Sequence, residues 1–174
     1  WKSKTFFVTG EAVGTTNVDS KLGFKIALVQ MLVAGGAKQE NLQRAELAIA
    51  EAAGQGAQLV LLPETLDLGW THPSAKEQAE AIPGGEPYER LRAAAKQHGV
   101  FVCAGLTERE RMQVFNSAVF IDDSGQLLLK HHKLNELEIG HEFYAQGNRL
   151  SVVHTRLGAI GVMICADGFA CNQV

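Results

Sequence analysis

Glu64, Lys133 and Cys165 are the residues whose types and surroundings suit acyl-transfer chemistry. Each follows an apolar run: Glu64 comes after "LVLLP", Lys133 after "QLLLKHH" and Cys165 after "LGAIGVMI". Such runs read as strands, over residues 59–62, 126–131 and 157–164, so each reactive residue falls at a strand exit. In open α/β sheets the crevice beyond the carboxyl ends of the strands is where ligands bind. Residues placed this way converge if the strand order allows it.

The chemistry of such a meeting follows from elementary electrostatics. A thiol with a pKa near 8.5 is mostly protonated at neutral pH, and burial alone makes it less acidic. An ammonium about 4 Å away, at an effective dielectric near 20, contributes roughly 4 kcal/mol in the opposite direction, or about three pKa units. A partly desolvated carboxylate has its pKa raised into the range where it accepts the thiol proton and later returns it to a leaving amine. Glu64 is then the base beside a Cys165 nucleophile. Lys133, with the backbone N–H of Ala166, faces the oxyanion formed when a thiolate attacks a carbonyl or nitrile carbon.

The elements that must hold these residues follow a βαβ rhythm. "FKIALVQM" (24–31) is a strand-like run, and a turn at Gly35–Gly36 leads into a helical stripe of Leu42, Ala45, Ile49, Ala52 and Ala53 that closes near Gly54 and Gly56. The strand 59–62 follows at once, and its four consecutive apolar residues suit a strand covered on both faces. Pro87 opens a second helix carrying Leu91, Ala94, Ala95 and His98 on one face, which Gly99 stops. "VFVCAGL" (100–106) is another buried strand. "FNSAVFI" and "QLLLKH" flank "DDSG" (122–125), whose residues make hairpin turns, so an antiparallel pair joins the parallel ones. The class is α/β, a mixed β-sheet with flanking helices. Residues 1–24 show no sustained period and read as an irregular extension, leaving 25–174 as the domain.

The chain has 174 residues, 46% of them hydrophobic, which suits one domain with a core of its own. Sixteen Lys and Arg against nineteen Asp and Glu, without a block of like charge, argue against a nucleic-acid or membrane partner. Three cysteines, Cys103, Cys165 and Cys171, form no C-x-x-C pair and leave at least one thiol free, as expected of a cytoplasmic protein. The chain starts at Trp1 and has no methionine before Met31, which reads as a processed chain or a piece of a longer one.

From about Lys25 to Phe169 the chain resembles the nitrilase superfamily of carbon-nitrogen hydrolases. The stretches that carry the likeness are "KIALVQM", "ENLQRA", "GAQLVLLPE", "GVFVCAGL", "FNSAVFIDDSG", "KHHKLNE", "FYAQGN" and "LGAIGVMICAD", in that order. The resemblance implies an αββα sandwich, a Glu64–Lys133–Cys165 triad passing through a thioester, no metal or organic cofactor, and homo-oligomers assembled through helices flanking the nucleophile. The implied substrate is a small amide, carbamoyl amine or nitrile. A second glutamate is implied between the lysine and Gly147, a role for which Glu136, Glu138 and Glu142 compete, with Glu142 preferred. The usual continuation after Cys-x-Asp carries an Arg or aromatic and then Pro-Glu, whereas this chain reads "CADGFACNQV" and stops, so the domain is expected to be incomplete at its C-terminus.

Plainer readings stand beside these. A cysteine closing an apolar strand is more often a small core residue than a nucleophile, and Cys103 keeps that reading. His131 and His132 are adjacent, so on a strand they point to opposite faces and make a poor ligand pair. Asp167 either takes part in the chemistry or orders the loop after Cys165 by accepting backbone hydrogen bonds. Trp70 and Phe143 are candidate pocket walls, with packing the commoner role. Two rival functions remain: a non-catalytic relative acting only as an assembly or binding subunit, and a Cys–His protease using a histidine such as His154.

Overall fold

The computed structural model describes residues 4–11 and 23–169. Six strands form one mixed sheet in chain order: β1 (Lys4–Glu11), β2 (Gly23–Gln30), β3 (Leu59–Leu61), β4 (Phe101–Glu110), β5 (Gln113–Ile121) and β6 (Leu127–His132). β2, β3 and β4 pair in parallel, and the remaining pairs are antiparallel. Parallel neighbours need a crossover, and helices supply both. α1 (Lys38–Gly54) joins β2 to β3, while α2 (Ala75–Gln78) and α3 (Glu86–His98) lie between β3 and β4.

The helices cover one sheet face because their apolar stripes match it. α1 buries Leu42, Ala45, Ala48, Ile49 and Ala52, whose small alanines allow close approach, and α3 buries Tyr88, Leu91, Ala94 and Ala95. These pack with Ala27, Val29, Val60, Val102, Ala104, Leu106, Val119 and Ile121 of the strands. Gly99 ends α3 in a left-handed conformation with φ 63°, as a C-terminal glycine does. The opposite sheet face presents Leu59, Phe101, Cys103, Ala118, Phe120 and Leu129 to a two-stranded hairpin, β7 (Val152–Thr155) and β8 (Gly158–Gly161), with Leu157, Val162 and Ile164 beneath it. Apolar layers on both faces explain why the strands read as continuous apolar runs.

Three expectations change. Lys4–Glu11, inside the stretch expected to be irregular, is a strand that pairs antiparallel with the outer edge of β2 from Lys4↔Gln30 to Glu11↔Gly23. A neighbouring edge stabilises a strand whose own alternation is too short to announce it. The last strand spans only 158–161 rather than 157–164, because β8 pairs with the four residues of β7 and Val162–Ile164 then bends inward to bury Val162 and Ile164. β4 runs to Glu110 and meets β5 across a tight turn at Arg111 and Met112, a hairpin that "ERERMQ" does not signal.

Candidate active site

Glu64 sits on a turn sewn onto β4. The N–H of Leu62 donates to Cys103 O at 2.8 Å, that of Gly105 to Pro63 O at 3.0 Å and that of Leu66 to Gly105 O at 2.9 Å. A Cβ at position 105 would lie 2.5 Å from the Glu64 Cα, so only glycine lets the turn approach this closely. Thr65 adopts φ 43°, which tightens the same turn. Beyond it, buried Asp67 accepts the Thr107 N–H and hydroxyl, and burial raises its pKa to about 6 against those bonds.

Lys133 leaves β6 with its side chain only 1% exposed, and its Nζ donates to Glu64 Oε1 at 2.7 Å. Burial opposes the ammonium charge, but the hydrogen bond and charge of Glu64, with the charges of Glu136 and Cys165, outweigh it and hold the lysine pKa above its ordinary value. The Lys133 N–H donates to Asn116 O at 2.9 Å, and Asn116 Nδ2 donates to Glu64 Oε1 at 2.6 Å. One β5 residue therefore braces both partners from within the two strands that separate β3 from β6. The Trp70 ring centroid stands 5.7 Å from Nζ, within cation–π range.

Cys165 enters from the hairpin layer, opening a short 3-10 turn (Cys165–Gly168) with φ 43°. For a residue with a Cβ that backbone is uncommon, and such strain clusters at sites where a side chain must be held in one direction. Cys165 and Glu64 line one cavity of about 150 Å³ with Leu61, Leu62, Gly105 and Ile164. Cys103 borders it too, but burial pushes its thiol up to about 12, so of the two cysteines only the exposed Cys165 is suited to react.

The structure thus pairs Glu64 with Lys133 and sets Glu64 and Cys165 on one cavity. It does not bring Glu142 there. That side chain is 69% exposed and pairs with Lys76 at 3.2 Å, because the 3-10 turn Glu138–Glu142 carries it outward. Glu136 lies beside Lys133 instead, with a fully buried side chain and Oε2 at 3.4 Å from Nζ. Burial raises its pKa, and Lys133 only partly offsets this. Glu136 packs closely on Gly140, where a Cβ would lie 2.5 Å from Glu136 Oε2.

The two adjacent histidines diverge as alternation requires, His131 toward Asp167 at 2.8 Å and His132 toward Glu108 at 2.8 Å. His154 is exposed on β7 and is not among the cavity's lining residues, which removes the support for a Cys–His pair. Phe143 packs against Tyr144 and under Lys76 rather than lining the cavity. Cys171 lies outside the described residues. Asn116 and Gly105 were missed at the sequence level. A buried polar residue inside "FNSAVFI" and a glycine inside "VFVCAGL" were the available signals, since strands disfavour both types.

Residues 25–174 match the family model described as carbon-nitrogen hydrolase. The chain is 36% identical over 154 residues to the omega-amidase NIT2 of Xenopus tropicalis, covering 83% of this chain and 55% of that protein. It is 37% identical over 150 residues to a nitrilase of Pyrococcus abyssi, covering 83% and 56%. Among solved structures, an amidase from Nesterenkonia sp. superposes with a TM-score of 0.75 at 26% identity, over 83% of this chain and 56% of that one. A CN-hydrolase superfamily protein of Xanthomonas campestris gives 0.74 at 26% identity, over 82% and 53%. The chain spans little more than half the length of these relatives.

Proposed function

The chain belongs to the carbon-nitrogen hydrolase family, and from that premise we propose that it is a hydrolase splitting the non-peptide carbon–nitrogen bond of a small amide, carbamoyl amine or nitrile through a Cys165 thioester. The observation that carries the reading is the 2.7 Å contact of Lys133 with Glu64 beside a cavity that Glu64 shares with Cys165. The Glu64 carboxylate takes the thiol proton, and the sulfur attacks the carbonyl carbon of an amide. The oxyanion forms next to the Lys133 ammonium and the Ala166 N–H. On collapse the carbon–nitrogen bond breaks, Glu64 returns the proton to the amine, and ammonia or an amine departs. Glu64 then deprotonates water, which attacks the thioester and releases the acid and the thiol. The Glu136 carboxylate adds a second negative charge near the Lys133 ammonium.

The apolar lining by Leu61, Leu62, Ala104 and Ala118 favours a short uncharged acyl group next to the scissile bond. By the same reading the protein works in the cytoplasm, where its thiol stays reduced, and as a homo-oligomer. Incubation with a panel of small amides, carbamoyl amines and nitriles, followed by intact-mass and peptide mass spectrometry, tests the proposal. An acyl adduct on Cys165 is expected, and an adduct on Cys103 or none with any substrate class counts against it.

One observation favours the rival reading of an assembly subunit. Phe6, Val8 and Leu61 lie on one sheet face and are 50%, 48% and 41% exposed. Sedimentation together with the same substrate panel separates the two, since a well-folded but inert oligomer is what the rival requires.

A further inference from the structure

The loop that bears the sulfur and the loop that bears the ammonium come from different layers, and one carboxylate ties them together. Asp167, buried to 1% exposure, accepts the N–H of Leu134 at 2.9 Å and of Asn135 at 2.8 Å on Oδ1. On Oδ2 it accepts the Ile164 N–H at 3.0 Å and meets His131 Nε2 at 2.8 Å. These partners bracket both reactive residues, because His131 and Leu134 stand on either side of Lys133 and Ile164 immediately precedes Cys165. We infer that Asp167, oriented by the buried His131 imidazole, is a positioning residue that sets the distance between the Lys133 ammonium and the Cys165 sulfur. The inference rests on the functional reading above.

The physics supports a clamp of this kind. A carboxylate offers about four lone-pair sites, enough for all of these donors at once, and bonds to an ionised acceptor are among the strongest a protein makes. Burial works against the Asp167 charge, but His131 and the three backbone donors more than compensate, so the carboxyl stays ionised below its ordinary range. Its four partners come from β6, the lysine loop and the nucleophile loop, so neither loop slides without breaking bonds to the other. Coulomb attraction falls with distance, and a small separation of the loops therefore registers in the acidity of the thiol.

The sign of that change separates a clamp from a bare charge effect. Asp167→Asn keeps the shape and one acceptor oxygen but turns an amide N–H toward the Ile164 N–H and His131. If Asp167 acted only through its charge, the substitution would remove a nearby anion and make the thiol more acidic. Loosening the ammonium makes it less acidic.

The test follows alkylation of Cys165 by iodoacetamide against pH, read by peptide mass spectrometry, in the wild type and in Asp167→Asn, His131→Phe and His131→Gln. Cys165 alkylation at neutral pH is expected to slow by about tenfold in Asp167→Asn. A smaller slowing is expected in His131→Phe, with a return toward wild type in His131→Gln, which keeps an N–H donor. kcat falls in parallel while KM holds. A faster or unchanged alkylation rate in Asp167→Asn overturns the inference. Where near-UV circular dichroism shows that variant unfolded, the histidine pair decides, and His131→Phe matching the wild type overturns it equally. A wild type whose Cys165 alkylates no faster than Cys103 defeats the catalytic reading instead, so the two failures are distinguishable.

Discussion

Each face of the sheet carries a carboxylate–lysine pair, and the two differ in what surrounds the carboxylate. On the helix side, buried Glu108 accepts from Ser117 Oγ at 2.6 Å, pairs with His132 Nε2 at 2.8 Å and receives the Lys130 ammonium. Burial alone would raise its pKa, yet these partners hold it below the ordinary value of 4.5. On the hairpin side, Lys133 and Asn116 both meet Oε1 of Glu64, and the side chain stays 25% exposed beside the cavity that Cys165 lines. A saturated carboxylate is a structural anion. One with lone pairs left over, space in front of it and a thiol across that space is equipped to move protons.

The sharpest way to break this contrast is to remove the sulfur. Cys165→Ala is expected to lower amide or nitrile turnover by about 10⁴-fold or more, with thermal stability close to wild type. Retained ammonia release would show that the hairpin-side cluster is no more reactive than its counterpart. The two cysteines sharpen the comparison next. With Cys103 pushed up to about 12 by burial, iodoacetamide should modify Cys165 faster by about a thousandfold, and peptide mapping reads the ratio directly. Exchanging the ammonium in each cluster comes third. Lys133→Met should cost about a hundredfold in kcat, as loss of an oxyanion donor does, whereas Lys130→Met should leave kcat within about threefold. Equal losses would erase the distinction.

The smallest effect concerns stability alone. Because the folded pKa of Glu108 is depressed, its contribution is fully present above the unfolded pKa and disappears as pH falls through the folded one. Glu108→Gln should therefore cost about 2 kcal/mol at neutral pH in denaturant titrations. The gap to the wild type should narrow on acidification from about pH 4.5 downward. A gap that widened in acid would reverse the assignment of Glu108 as a stabilising anion.

Much of this was legible in the residues themselves. The apolar runs 24–31 and 59–62, the stripes of α1 and α3 and the stop at Gly99 are signals that act within a few residues. So is the turn chemistry of "DDSG", where Asp122 Oδ1 accepts the N–H of Ser124 and of Gln126 at 2.9 and 2.7 Å. The strand at Lys4–Glu11 was not legible, because it depends on an edge offered by β2. The structure sets Glu136 rather than Glu142 beside Lys133, for a related reason. Spacing along "KLNELEIGHE" does not reveal which side of a 3-10 turn faces the lysine, and the approach of Glu136 to Gly140 is a contact across that turn.

The sequence by itself determined the kinds of element, their order, and the delivery of a carboxylate, an ammonium and a thiol near strand ends, since local propensity and periodicity control those. Only the tertiary structure decided that Glu64 and Lys133, 69 residues apart, touch across two intervening strands. It also decided that Asn116 braces both and that Asp167 joins the Lys133 loop to that of Cys165. Such meetings depend on strand order and on which buried donor finds which acceptor, and these are settled by packing the whole chain at once.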